Sequence, residues 1–195
     1  MNEYAPEDSK LYLDLTVHRG LPTLGGINGT GFDKYGKQIP YGLGPHSVDP
    51  IRKVCELTKP TSILEIGFNM GYSSALWLHF TDAKVVAVDI SDKDETLLAA
   101  KILKELYPDR FEFVLSDSKH LYEKIKDRQF DFIFIDGDHE DDGVMADMQL
   151  AKDLNIHNIC LDDWLPQFGP GVQPSAKRHS LNVTHIFGNI ALATL

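Results

Sequence analysis

Acidic side chains recur in this sequence just past short apolar runs, and that placement is the first sign of chemistry. Glu65 lies within I-L-E-I-G, Asp89 closes V-V-A-V-D, and Asp117 with Ser118 follows F-E-F-V-L. Asp136, Asp138 and His139 follow F-D-F-I-F-I, and Asp162 and Asp163 follow N-I-C-L. One Asp at such a point is often only a helix cap, its carboxylate satisfying free N–H groups, and Asp89, Asp117 and Asp142 can each be read so. Acids repeated at successive strand ends point instead to a ligand crevice, because ligands bind beyond the carboxyl ends of the strands in an open parallel sheet.

The stretch E-I-G-F-N-M-G-Y-S narrows the ligand. It lacks the spacing and the lysine of a phosphate-binding P-loop. The dinucleotide fingerprint wants three glycines for close approach to a pyrophosphate, and here Asn69 stands where the middle glycine would be. Glu65 would also repel a pyrophosphate, so a ligand with a positive group suits the loop better. Asp89 is placed to bond ribose hydroxyls, which nicotinamide and adenosine-type cofactors share.

These residues need a scaffold, and the alternation after Pro50 supplies one. Asp49-Pro50 reads as a cap with proline in the first helical position, leading into I-R-K-V-C-E-L-T. Strands are expected over 63–66, 85–88, 111–115, 130–135 and 158–161, with helices over 71–80, 94–106, 119–125 and 142–154 between them. In the second helix Leu98, Ile102 and Leu106 repeat at helical spacing, as do Val144, Met148 and Ala151 in the last. The tail T-H-I-F-G-N-I-A-L-A-T-L reads as two strands about a Gly188-Asn189 turn. The fold class is therefore α/β: a doubly wound, mostly parallel sheet with helices on both faces and an antiparallel terminal hairpin. Residues 50–195 form a single domain. Residues 1–49 are a separate segment containing a glycine- and proline-rich flap over 20–45, with Phe32, Tyr35 and Tyr41 as its aromatic members.

Composition excludes several classes of function. The chain has 195 residues and a net charge of -10, with no basic face for a phosphate backbone, so nucleic acid is not expected as a partner. No apolar run reaches membrane-spanning length, and the polar, acidic opening does not resemble a secretory signal. Cys55 and Cys160 sit in apolar patterns and read as reduced core residues. A cytoplasmic protein is expected.

The quoted motifs, with V-V-A-V-D-I-S, L-S-D-S and I-D-G-D-H, resemble those of class I S-adenosylmethionine-dependent methyltransferases, most closely the small-molecule O-methyltransferase branch. The resemblance covers about residues 50–163. It implies a Rossmann-like sheet of seven strands, the last antiparallel, and a methyltransferase-like catalytic domain. It also implies roles: Glu65 toward the methionine ammonium, Gly67 and Gly71 for close approach of the backbone, and Ser73 toward the cofactor carboxylate. Asp89 would take the ribose hydroxyls, Asp117 and Ser118 would lie near the adenine, and Asp136 would stand beside the cofactor.

In catechol-type members of that family, one acid after the fourth strand and two residues after the fifth bind Mg²⁺. Asp136, Asp162 and Asp163 fall in those places. Such oxygen ligands suit a hard divalent ion, which would lower the pKa of a substrate hydroxyl and align it with the methyl group. His139 stands where those members carry a lysine base. It can be the catalytic base, with Asp136 beside it, or a metal ligand, or simply a hydrogen-bond partner of Asp163. The resulting expectation is methyl transfer to a hydroxyl of a small molecule, with Trp164 and Phe168 near the acceptor and the flap able to contribute to a homodimer. The competing readings are a nicotinamide-dependent oxidoreductase and a binding module that takes up the cofactor without turning it over.

Overall fold

The computed structural model describes Thr30–Phe32, Gln38–Pro40 and residues 45–195, the first two stretches and residues 45–47 by backbone alone. Thr30–Phe32 (β1) and Gln38–Pro40 (β2) pair antiparallel as a small sheet of their own. The rest of the glycine-rich flap, Tyr35 and Tyr41 included, lies outside the described residues.

From there the chain alternates: α1 (Pro45–Thr58), β3 (Ser62–Ile66), α2 (Tyr72–Phe80), β4 (Lys84–Asp89), α3 (Asp94–Leu106), β5 (Phe111–Leu115), α4 (Tyr122–Ile125), β6 (Phe132–Ile135), α5 (Asp141–Asp153), β7 (Asn158–Leu161), α6 (Val172–Arg178), β8 (Asn182–Phe187) and β9 (Ile190–Thr194). Seven strands form one sheet in the order β5-β4-β3-β6-β7-β9-β8. Pairing is parallel from β5 across to β7, and β9 runs antiparallel between β7 and β8. The expected fold class is the one observed. Strand order reverses between β3 and β6, and a crevice therefore opens beyond their carboxyl ends.

The period of two along each strand splits the core between the faces. Ile63, Val85, Phe132 and Phe134 pack with α1, α2 and α3, while Leu64, Ile66, Ile133 and Ile135 pack with α4, α5 and α6. Cys55 and Cys160 are free and buried, as expected. Among the described residues no helix is long and apolar enough to cross a membrane.

Three local expectations need correction. Helix α1 begins at Pro45, and Pro50 lies inside it. Pro45 satisfies the first-position preference just as well, and Pro50, one turn in, removes only one backbone bond. Asp49 is then no cap and pairs with Lys53 at 2.9 Å on the surface. In α3 the buried residues are Thr96, Ala99, Ala100 and Leu103, whereas Leu98 is 49% exposed. Small side chains on the inward face let that helix lie close to the sheet. Helix α6 lies between β7 and the terminal hairpin, where the sequence leads us to expect no element, because it has too little apolar periodicity to be seen in advance.

Trp77 centres one half of the core, fully buried with its ring 5.3 Å from those of both Phe132 and Phe134. Trp77→Ala is expected to cost about 3–5 kcal/mol in urea unfolding. A loss below about 1 kcal/mol would mean that the helices close over the gap.

Candidate active site

The loop after β3 is built by two glycines. Gly67 has φ of 91°, and a β-carbon there would collide with the Asp136 carbonyl oxygen at the end of β6. Gly71 has φ of 75°, and its β-carbon would stand 2.7 Å from the Phe68 ring. Phe68 itself is buried and packs 5.0 Å from Phe113. What keeps side chains out of both positions is thus this protein's own packing. Gly67 also lines the crevice, while Gly71 does not and stands at the N-cap of α2.

Glu65, wholly buried in β3, accepts hydrogen bonds from the hydroxyls of Ser73 and Ser74 at the head of α2. Its second oxygen, Oε1, has no hydrogen-bond partner among the described residues. Burial pushes the carboxyl up to about 8, against the pull of the two serines. Ser73 therefore turns its hydroxyl inward to Glu65.

The next strand ends contribute in order. Asp89 accepts the Asn69 N–H at 2.6 Å and the Ser91 N–H at 2.7 Å, so its carboxylate holds the loop after β3 and its own turn together. Asp117 accepts the Lys119 N–H at 2.9 Å and caps a short 3-10 turn. The capping reading of these acids is thus realised, and both still face the crevice. Ser118 hydrogen-bonds Asp147 of α5, a carboxyl only 2% exposed and pushed by burial to about 6. Asp147 was not singled out from sequence. Its signal was an acid on the same helical face as Val144, Met148 and Ala151, the kind of misfit that had marked Glu65.

Gly67, Asp89, Asp117, Ser118, Asp136 and His139 line one cavity of about 660 Å³. At its rim His139 lies between two carboxylates, with Nε2 3.5 Å from Asp136 and Nδ1 2.9 Å from Asp163. Asp136 and then Asp163 push the imidazole up to about 10, so it carries a proton at neutral pH. Asp163 is correspondingly held below the usual carboxylate range, while burial raises Asp136. Asp162 lies apart from this group of donors, and burial and then Asp136 push it to about 8. Of the expected acid trio, Asp136 and Asp163 are brought together, with His139 rather than Asp162 as the third donor within 4.8 Å. His139 also realises the hydrogen-bond reading weighed for it.

These shifts fix how stability depends on pH. Folded Glu65 and Asp162 keep protons to about 8 and His139 to about 10, against ordinary values of 4.5, 3.8 and 6.5. Every one of these groups binds its proton more tightly in the folded chain, so stability is lost as pH rises through those folded values. Protein kept in EDTA should lose several degrees of Tm between about pH 6.5 and 9. A flat or rising Tm would mean that the groups ionise as they do in the unfolded chain.

Residues 64–158, just under half of the chain, match the family model described as a methyltransferase domain. No curated protein sequence matches the chain. Among solved structures, an O-methyltransferase from Bacillus cereus in complex with S-adenosylhomocysteine is 21% identical with a TM-score of 0.60, covering 97% of this chain and 92% of that one. A Klebsiella pneumoniae protein assigned as an O-methyltransferase is 16% identical with a TM-score of 0.68, covering 100% and 92%. The 1,6-didemethyltoxoflavin-N1-methyltransferase of Burkholderia thailandensis is 15% identical with a TM-score of 0.56, covering 75% and 76%. That last protein is an N-methyltransferase, so the shared fold leaves the accepting atom open. Strand order and the solved structures agree on the fold: the chain has the fold of these methyltransferases, and its residues 64–158 are similar to a methyltransferase domain.

Proposed function

We propose that the chain moves the methyl group of S-adenosylmethionine to a hydroxyl of a small molecule, with a divalent ion held by Asp136 and Asp163. The observation that carries this reading is the crowding at the cavity rim. Two carboxyl groups, Asp136 and Asp163, converge on one imidazole, and a single proton on His139 does not offset both. A divalent cation would.

The cofactor fits the chain's own polar groups. Asp89, Asp117, Asp136 and Asp138 give the cavity a strongly acidic lining, suited to a sulfonium cation. The two free hydroxyls of a ribose match the Asp89 carboxylate, and Asp117 with Ser118 is placed for the adenine. The partnerless oxygen of Glu65 suits an ammonium, directly or through water, with Ser73 supporting that carboxylate. The nicotinamide reading is weakened because the Asn69 N–H is spent on Asp89 and is not free for a pyrophosphate.

When bound, the cofactor supplies an electrophilic methyl group for in-line displacement, and the ion would lower the pKa of the acceptor hydroxyl. The chain's part is alignment and proton management. With an ion held by the carboxylates at 136 and 163, they would no longer hold a proton on His139, and the ring would then be free to accept the hydroxyl proton at neutral pH. Trp164, half-buried and next to Asp163 in the chain, and Phe168, 56% exposed, would meet the acceptor.

The test supplies methyl-labelled S-adenosylmethionine with a panel of catechols, phenols and sugars, with Mg²⁺ or with EDTA. Label should pass to a hydroxyl only with the ion, and Asp163→Ala should lower turnover by at least about 100-fold. Turnover unaffected by EDTA would remove the ion from the reading. S-adenosylhomocysteine binding without any transfer would favour a binding module.

A second prediction concerns cofactor affinity alone. S-adenosylhomocysteine at about 100 times its Kd should stabilise the wild-type chain by roughly 2.7 kcal/mol. Asp89→Ala should lose most of that shift, and if it kept the whole of it the ribose assignment would fall.

A further inference from the structure

Asp163 has φ of 49°, in the left-handed region, a conformation that local neighbours must hold in place. One residue far along the chain supplies three bonds that do so. Asn189, in the turn between β8 and β9, donates from Nδ2 to Asp163 Oδ1 at 2.5 Å. Its side-chain oxygen accepts the Leu165 N–H at 2.9 Å, and its backbone carbonyl accepts the Trp164 N–H at 2.8 Å. The remaining carboxylate oxygen of Asp163, Oδ2, is the one that meets His139 Nδ1 at 2.9 Å. Gly169 closes in from another side, where a β-carbon would collide with the Asp163 carbonyl.

From sequence, Gly188-Asn189 reads only as a hairpin turn, a position that Asn, Asp or Gly can fill. The bonds ask for more than a turn former. Of those three residues only Asn can donate to a carboxylate with one end of its side chain while accepting a backbone N–H with the other. We infer that Asn189 is a positioning residue, which occupies Oδ1 of Asp163 so that Oδ2 stays turned toward His139. The antiparallel hairpin thereby sets an acid at the mouth of the parallel sheet. For metal binding the inference rests on the reading proposed above; for the Asp163–His139 contact it does not.

Asn189→Asp separates the two roles, because it keeps a turn former and an acceptor for Leu165 but sets a second anion against Asp163. The full chain in EDTA, at one fixed pH, would be followed by long-range proton–nitrogen NMR of the His139 ring. Asn189→Asp should move those signals toward the ones seen in Asp163→Asn, while S-adenosylhomocysteine affinity stays at the wild-type value. Mn²⁺ affinity should fall about 10–100-fold, as for other residues that orient a metal ligand. Should charge repulsion prevent folding, Asn189→Ala takes its place with the same expected readings. His139 signals identical to wild type in the folded variant would overturn the assignment. Equal Mn²⁺ affinity in wild type and Asp163→Ala would instead sink the metal-assisted reading, with the ring signals still deciding the role of Asn189.

Discussion

The arrangement of the site hangs on a close approach between two pieces of backbone. Parallel pairing of β3 with β6 carries both strands to the same edge of the sheet, and there the bare α-carbon of Gly67 presses against the Asp136 carbonyl. No side chain fits between them, and φ of 91° admits little else. The loop that leads into α2 and the acid that begins the rim cluster are therefore fixed to each other, independently of any ligand. Asp89 adds a third anchor by bonding the Asn69 N–H from the neighbouring strand.

Around that anchor the chain collects more negative charge than its interior can hold ionised. Glu65, Asp147 and Asp162 are each raised mainly by burial, and Asp136 shares that cause. Burying a carboxyl without a cation is costly, and among the described residues the compensation comes from serine hydroxyls, the His139 imidazolium, Lys119 near Asp147 and a backbone N–H at Asp162. A fold that tolerates this cost leaves the site short of positive charge, and the sulfonium cofactor and divalent ion of the proposed reading would supply it.

Sequence reading fared best where an element's cause is local. Apolar runs of β-formers gave β5 and β7 with their observed ends, and Gly188-Asn189 marked the hairpin. It fared worse where a tertiary neighbour decides. Leu98, Ile102 and Leu106 suggested one face of α3; Ile102 and Leu106 do pack against the core, but Leu98 is exposed and the buried side centres on Ala99, Ala100 and Leu103, because close approach favours small residues there. Ser73 was expected to face the cofactor, but Glu65 draws its hydroxyl inward. Glu65 announced itself as an acid inside an apolar strand, and Asp147 carried the same mark in a helix, where a period of 3.6 makes such a misfit harder to see.

The sequence by itself determined the alternation of strands and helices, the terminal hairpin and the places at which acids meet the crevice. Each of these follows from side-chain type and spacing within a few residues. Only the tertiary structure decided which acids share a site. Asp136, His139 and Asp163 converge, and Asp162, adjacent to Asp163 in sequence, is left behind. Neighbouring residues leave an extended backbone in opposite directions, and a left-handed turn at Asp163, tied by a hairpin 26 residues further along, selects which of the two faces the histidine. Spacing along the chain carries no record of that choice, because the bonds that enforce it join parts of the sequence that only the sheet brings together.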